Sequence, residues 1–332
     1  MLAEVPLLFI LLGLAAYTLL AGADFGAGFW TLVSGGAGRA GIREHARHSM
    51  GPVWEANHVW LIFVLVVCWT AYPVAYASIV STLTVPLFVA GVGIILRGAA
   101  YALRGQLEET RHQRSVEIVF ALSSVLTPFA LGTAVGAIAS GRVPVGNAAG
   151  NLLTSWLNPT SVFVGALGVA TSAYLAAVYL AADARRTQER WLELEFRSRA
   201  LWAGAIAGAL ACAGLLVVRQ DAPSLWNGLT QGGGLVAVCV SAAAGLLTLG
   251  LVWRGTFGLA RASAALAVAA IMAGWAIAQR PRFLPGLTIN QAAAGPSTLI
   301  SVIIAVAIGA VVLVPSLLLL FGLFLRGRLD GA

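Results

Sequence analysis

Nine stretches of about twenty apolar residues follow one another along this chain, and a helix of that length is what the hydrocarbon core of a bilayer demands. They centre on residues 5–32, 53–71, 74–103, 118–139, 159–182, 200–218, 235–253, 259–278 and 299–325. Charged residues make up only 10% of the 332 and hydrophobic ones 59%, too little polar cover for a water-soluble fold of this size. The breaks between the stretches are too short for a soluble domain. The expected architecture is all-α: a polytopic membrane protein of about nine helices, with residues 1–332 forming one transmembrane domain. The first apolar run outlasts a signal-peptide core and no basic segment precedes it, so it is expected to remain as the first span.

Arginine placement orients the helices, because basic residues are held on the cytoplasmic side. All 20 basic residues are Arg, and nine alternating spans divide them sixteen to four. Arg39, Arg43, Arg47, Arg97, Arg104, Arg111, Arg114, Arg185, Arg186, Arg190, Arg197, Arg199, Arg254, Arg261, Arg326 and Arg328 fall on one side, and Arg142, Arg219, Arg280 and Arg282 on the other. The N-terminus is therefore expected outside and the C-terminus in the cytoplasm. The net charge of +7 reads as loop charge facing anionic lipid, not as a nucleic-acid footprint. With no Lys there is no Walker-type phosphate loop. Cys68, Cys212 and Cys239 sit far apart in apolar runs, without metal-site spacing, and read as packing residues. No internal repeat is evident by inspection.

Ionisable residues inside spans are costly and mark candidate sites. Asp24 lies late in the first span within Gly22-Ala23-Asp24-Phe25-Gly26-Ala27-Gly28, where Gly26 and Gly28 allow a second helix to approach closely. Glu55 opens the second span within Trp54-Glu55-Ala56-Asn57-His58-Val59-Trp60. Each acid has a structural reading, Asp24 as a hydrogen-bonded interhelical residue and Glu55 as a first-turn acid favoured by the helix dipole, with Trp54 and Trp60 as interfacial aromatics. Together, Asp24 and Glu55 form a candidate proton path inward from the cytoplasm, which Asn57 and His58 extend. His58 also has the chemistry of an axial haem ligand, although no span pairs two histidines. His45, His48 and His112 fall in Arg-rich loops and read as solvated. The charged stretches 103–114 and 185–199 read as solvated helix extensions. Pro159 starts the fifth span, and the Pro- and Gly-rich segment 281–296 either closes the bundle or meets a partner.

At these residues the chain resembles subunit II of the cytochrome bd-type quinol oxidases. Gly22 to Gly28 is similar to that family's Gly-Phe-Asp-x-Gly-x-Gly segment, and Pro52-Val53-Trp54-Glu55-Ala56-Asn57-His58-Val59-Trp60-Leu61 to its Pro-x-Trp-Asp-Gly-Asn-x-x-Trp-Leu segment. Ala71-Tyr72-Pro73, Tyr76, Arg97, Leu157-Asn158-Pro159, Leu287-Thr288 and Val314-Pro315 continue the resemblance along nearly the whole chain. Departures from the pattern are Ala23 for Phe, Glu55 for Asp, Ala56 for Gly, and His58 for Glu or Gln. The resemblance implies a haem-bearing subunit I as partner, with haems b and d held there and none by this chain. It further implies quinol as the substrate of the complex, dioxygen reduced to water, a bacterial cytoplasmic membrane with its lipid and quinone, and room for a small accessory subunit. Glu55 and Asp24 match the family's proton-route acids. The alternative class is a haem-free secondary transporter or proton-coupled permease using the same two acids.

Overall fold

The computed structural model describes residues 2–34, 39–50, 54–103 and 110–325. Among these residues, after a 3-10 turn at Leu2–Glu4, thirteen helices run in order, with one hairpin between the eleventh and twelfth. They are α1 (Val5–Val33), α2 (Arg39–Met50), α3 (Trp54–Ala71), α4 (Pro73–Thr82), α5 (Thr84–Leu103), α6 (Thr110–Ala139) and α7 (Pro159–Arg186). There follow α8 (Arg190–Asp221), α9 (Pro223–Thr230), α10 (Gly232–Trp253), α11 (Phe257–Gln279), strands β1 (Arg282–Leu284) and β2 (Leu287–Thr288), α12 (Ile289–Ala292) and α13 (Pro296–Leu325).

Among the described residues, eight helices are long and apolar enough to cross a membrane: α1, α5, α6, α7, α8, α10, α11 and α13. The chain is an integral membrane protein. The remaining expected span corresponds to α3, whose 18 residues reach about 27 Å at 1.5 Å per residue. The expected third span, 74–103, is broken into α4 and α5 at Leu83. Pro86 is the cause: it has no N–H for the carbonyl of Thr82, and its ring crowds that carbonyl.

The helices form two groups of four. Helices α1, α3, α5 and α6 pack together, as do α7, α8, α10 and α11, and α7 joins the groups by lying against both α1 and α6. Lipid supplies no hydrophobic drive between helices, so close backbone approach does that work. At Gly26 a Cβ would lie 1.9 Å from the carbonyl oxygen of Ser172 in α7, and at Gly132 of α6 it would lie 2.8 Å from that of Val164. Helix α13 stands apart, touching chiefly α3, α1 and the Leu2–Glu4 turn.

Both ends of the bundle are closed by local structure. At one end, segment 281–296 folds as the β1–β2 hairpin and α12, burying Leu284, Leu287 and Ile289 with Tyr72. Ala294 donates its N–H to the Ala71 carbonyl at 2.8 Å, the Tyr72 hydroxyl donates to the Ala3 carbonyl, and Thr288 caps α12 with Gln291. The Arg280–Glu4 pair here is exposed and adds little; burial of the apolar side chains holds this end. At the other end α2 lies across α7. Its Ile42 and Ala46 join the core, and Ser49 Oγ donates to Asp183 at 2.5 Å.

Several sequence-based expectations change here. His45 is buried rather than solvated, with Nε2 3.0 Å from the Leu180 carbonyl, because the apolar face of α2 turns toward α7. The charged stretch 185–199 is exposed along most of its length, as expected for a helix extension, but one face at the start of α8 is not solvated: Leu192, Glu193 and Phe196 are buried. Arg97 does not belong with the loop arginines; it is buried inside α5. Cys212 and Cys239 face outward and only Cys68 is partly buried. Pro159 does start α7, with Asn158 as N-cap accepting from the Ser161 N–H. Residues 104–109 and His48 and His112 side chains lie outside the described residues.

The glycine contacts yield a paired test. Gly26→Ala forces the backbones of α1 and α7 apart and should cost about 1 to 3 kcal/mol. Gly208→Ala on α8, where a Cβ meets nothing within 4 Å, should be neutral or stabilising by up to about 1 kcal/mol. Thermal unfolding of the two purified variants in detergent checks both, and equal melting temperatures would contradict the packing account.

Candidate functional site

Residues 21–28 of α1 are all buried, because their small side chains admit neighbouring helices on several sides. Asp24 therefore faces protein, not lipid, and is 1% exposed. Its partner is Arg97 of α5, 2% exposed. The guanidinium donates from one Nη to Asp24 Oδ1 at 2.7 Å and to the Asp24 backbone carbonyl at 2.9 Å. The other Nη donates to Ser124 Oγ of α6, and Ser124 in turn donates to the Phe120 carbonyl at 2.5 Å.

Aromatic faces complete the arginine's surroundings. Its Cζ lies 4.3 Å from the ring centroid of Phe120 and 5.0 Å from that of Phe25, so the ring quadrupoles offset part of the desolvation. Gly28 provides the space, since a Cβ there would lie 2.1 Å from Ser124 Oγ and 2.8 Å from an Arg97 Nη. One charge buried without the other would cost about 3 to 5 kcal/mol. The pair thus ties α1 to α5 and, through Ser124, to α6.

Helix α3 brings the second cluster beside the first. Asn57 is 2% exposed. The His58 ring stands between Tyr17 and Phe25, with centroids 6.0 and 6.1 Å apart, within electrostatic reach of both Asp24 and Arg97. Trp60 packs against Tyr17, Ala21 and Phe25. Glu55 and Trp54 lie in the first turn of α3, and their side chains fall outside the described residues. Asp24, Gly28, His58 and Trp60 therefore lie within one helix group, with Asn57 buried on α3 next to His58 in the chain, whereas Gly26 faces α7.

The site also contains residues that the sequence did not single out. Arg97 was grouped with loop arginines although it lies well inside the third apolar window. That depth, in a residue that cannot lose its charge, was the available signal. Tyr17, Phe25, Phe120 and Ser124 gave none, since each is ordinary within a span. Among the described residues, no group of three or more His, Cys, Asp or Glu is placed to hold a metal ion.

Asp24 Oδ2 has no hydrogen-bond partner among the described residues, so the carboxylate is held by one oxygen and keeps the other for a further donor.

The chain was compared with known proteins. It is 30% identical over 113 residues to cytochrome bd ubiquinol oxidase subunit 2 of Bacillus subtilis (strain 168), covering 34% of this chain and 33% of that protein. It is 28% identical over 173 residues to cytochrome bd-I ubiquinol oxidase subunit 2 of Escherichia coli (strain K12), covering 50% of this chain and 43% of that protein. The chain thus matches less than half the length of these two relatives. Its fold resembles a chain in the structure of bd oxidase from Geobacillus thermodenitrificans, with a TM-score of 0.78 and 26% identity over 98% of this chain and 99% of that one. The family model for cytochrome bd terminal oxidase subunit II matches residues 2–324, and the chain belongs to that family.

Proposed function

We propose that this chain is the second subunit of a quinol-oxidising terminal oxidase in a bacterial cytoplasmic membrane, its N-terminus outside and its C-terminus in the cytoplasm. It pairs there with a haem-bearing subunit I that carries haems b and d, and the pair transfers electrons from quinol to dioxygen, giving water. The chain's own contribution is stability of the complex and a proton route from the cytoplasmic side. The observation that carries this reading is the buried Asp24 carboxylate, paired through one oxygen only, beside Asn57 and His58. Glu55 lies two residues before Asn57, about 3 Å along the helix axis, at the end of the bundle where most arginines gather.

Helix α13 supports the pairing. Leu299 and Val302 near the start of α13 are buried, but its most apolar 18-residue stretch is 0% buried within the chain, against 17 to 50% for the other spans. Past its first turns, Ile308, Val311, Val312 and Leu318 are all exposed. A continuous apolar surface next to α3 suits a second membrane subunit.

Purification of the C-terminally tagged chain from its own host membrane tests the assignment. A second large membrane subunit should accompany it, with b- and d-type signals in the reduced-minus-oxidised spectrum. An intact chain that emerges alone and colourless would favour the haem-free transporter instead. Val311→Trp should lower the recovered haem per chain several-fold, whereas Leu246→Trp on the outward face of α10 should leave it unchanged.

In the assembled complex, Glu55→Gln and Asp24→Asn should each slow oxygen consumption about tenfold or more, the scale of a lost proton-transfer group. Asp24→Asn also leaves Arg97 buried without its counter-charge, so haem content is measured alongside. The double variant Asp24→Asn, Arg97→Gln should recover assembly but not turnover. Recovery of both would make the pair purely structural.

A further inference from the structure

Tyr17 is nine-tenths buried in α1, 6% exposed, and its hydroxyl has no hydrogen-bond partner among the described residues. A buried hydroxyl in that state is costly unless something bonds to it. Two more buried oxygens nearby are in the same position: Asp24 Oδ2 and Thr127 Oγ1. Asp24 is seven residues from Tyr17 on α1, about 10 Å along the axis. Thr127 is fully buried on α6, close to one turn beyond the Ser124 that holds Arg97. Thr127 belongs to the same helix group, because the Tyr17, Ala21 and Phe25 cluster packs against Ile94 of α5 and Leu131 of α6, and Gly93, next to Ile94, lies against Thr127. The His58 ring occupies the space between the Asp24 level and Tyr17. Both Asp24 and Arg97 act electrostatically on Tyr17.

We infer that internal waters bridge the orphaned oxygens of Asp24, Thr127 and Tyr17, and that Tyr17 carries the proton route onward from Asp24 toward the N-terminal end of α1. This rests on the proton-route reading above and extends it by one residue. Asp24 and Tyr17 lie about 10 Å apart along α1, farther than a single water spans, so more than one internal water is needed to join them, each with these buried oxygens or other waters as partners. A phenol suits the role because it accepts and donates at one atom. It takes a proton from water on its lone pair and releases its own O–H proton to the next acceptor, leaving the tyrosine unchanged.

The test uses the purified two-subunit complex and quinol-driven oxygen consumption in H2O and D2O. Tyr17→Phe keeps the ring and its packing and removes the hydroxyl. It should lower turnover about tenfold, the equivalent of one lost hydrogen bond in the path, and raise the solvent isotope effect with haem content unchanged. Tyr17→His, which restores a group able to accept and donate, should regain most of the rate. Thr127→Val carries the same readout, and should slow turnover likewise, if Phe at position 17 prevents assembly.

Wild-type turnover and isotope effect in Tyr17→Phe overturn the inference, as do Phe and His variants that are equally slow, which would assign Tyr17 to packing. Asp24→Asn, measured in parallel, separates the two claims. If it is slow while Tyr17→Phe is not, only the role of Tyr17 fails. If neither is slow, the proton-route reading fails with it.

Discussion

Burial of a full positive and a full negative charge between apolar helices is the constraint around which the first helix group is arranged. Arg97 cannot shed its charge, so it needs Asp24 within hydrogen-bonding distance, Ser124 for its second nitrogen, and ring faces from Phe25 and Phe120 to offset lost water. Those requirements fix the rotation of α1, α5 and α6 relative to one another. They also explain Gly28, whose missing side chain is the space the guanidinium uses. In hydrocarbon, where apolar surface gains nothing from meeting other apolar surface, such polar and close-packed contacts supply most of the specificity between helices.

The same α1 segment serves two neighbours. Gly28 and Asp24 turn to α5 and α6, while Gly26 lets the backbone of α7 approach at Ser172. The helix bearing the acid is therefore also the seam between the two four-helix groups. Displacement of α1 at that seam would disturb the ion pair on its other face, which couples the stability of the fold to the geometry of the site. Helix α13 shares in neither group and presents apolar surface outward along most of its length.

Legibility of the site from sequence varied with the kind of residue. Asp24 and the flanking glycines stood out because a carboxylate in an apolar run is expensive and therefore rare. Arg97 stood just as deep, but a count of arginines by loop absorbed it into the cytoplasmic set. His45 was hidden in the opposite way: a polar neighbourhood suggested solvent, and only the packing of α2 across α7 buries it. Tyr17 and Ser124 carried no signal, since single hydroxyls are common in spans and gain meaning only from what faces them.

The sequence by itself determined the class of protein and the succession of apolar segments, because both follow from hydropathy summed over windows and need no contacts. Tertiary structure decided which helices meet. Pairing of Asp24 with Arg97, 73 residues away, the break of the third span at Leu83, and the closure of one end by the hairpin all depend on interhelical distance and rotation. Those quantities arise from many weak contacts formed together, and no local stretch of sequence contains them.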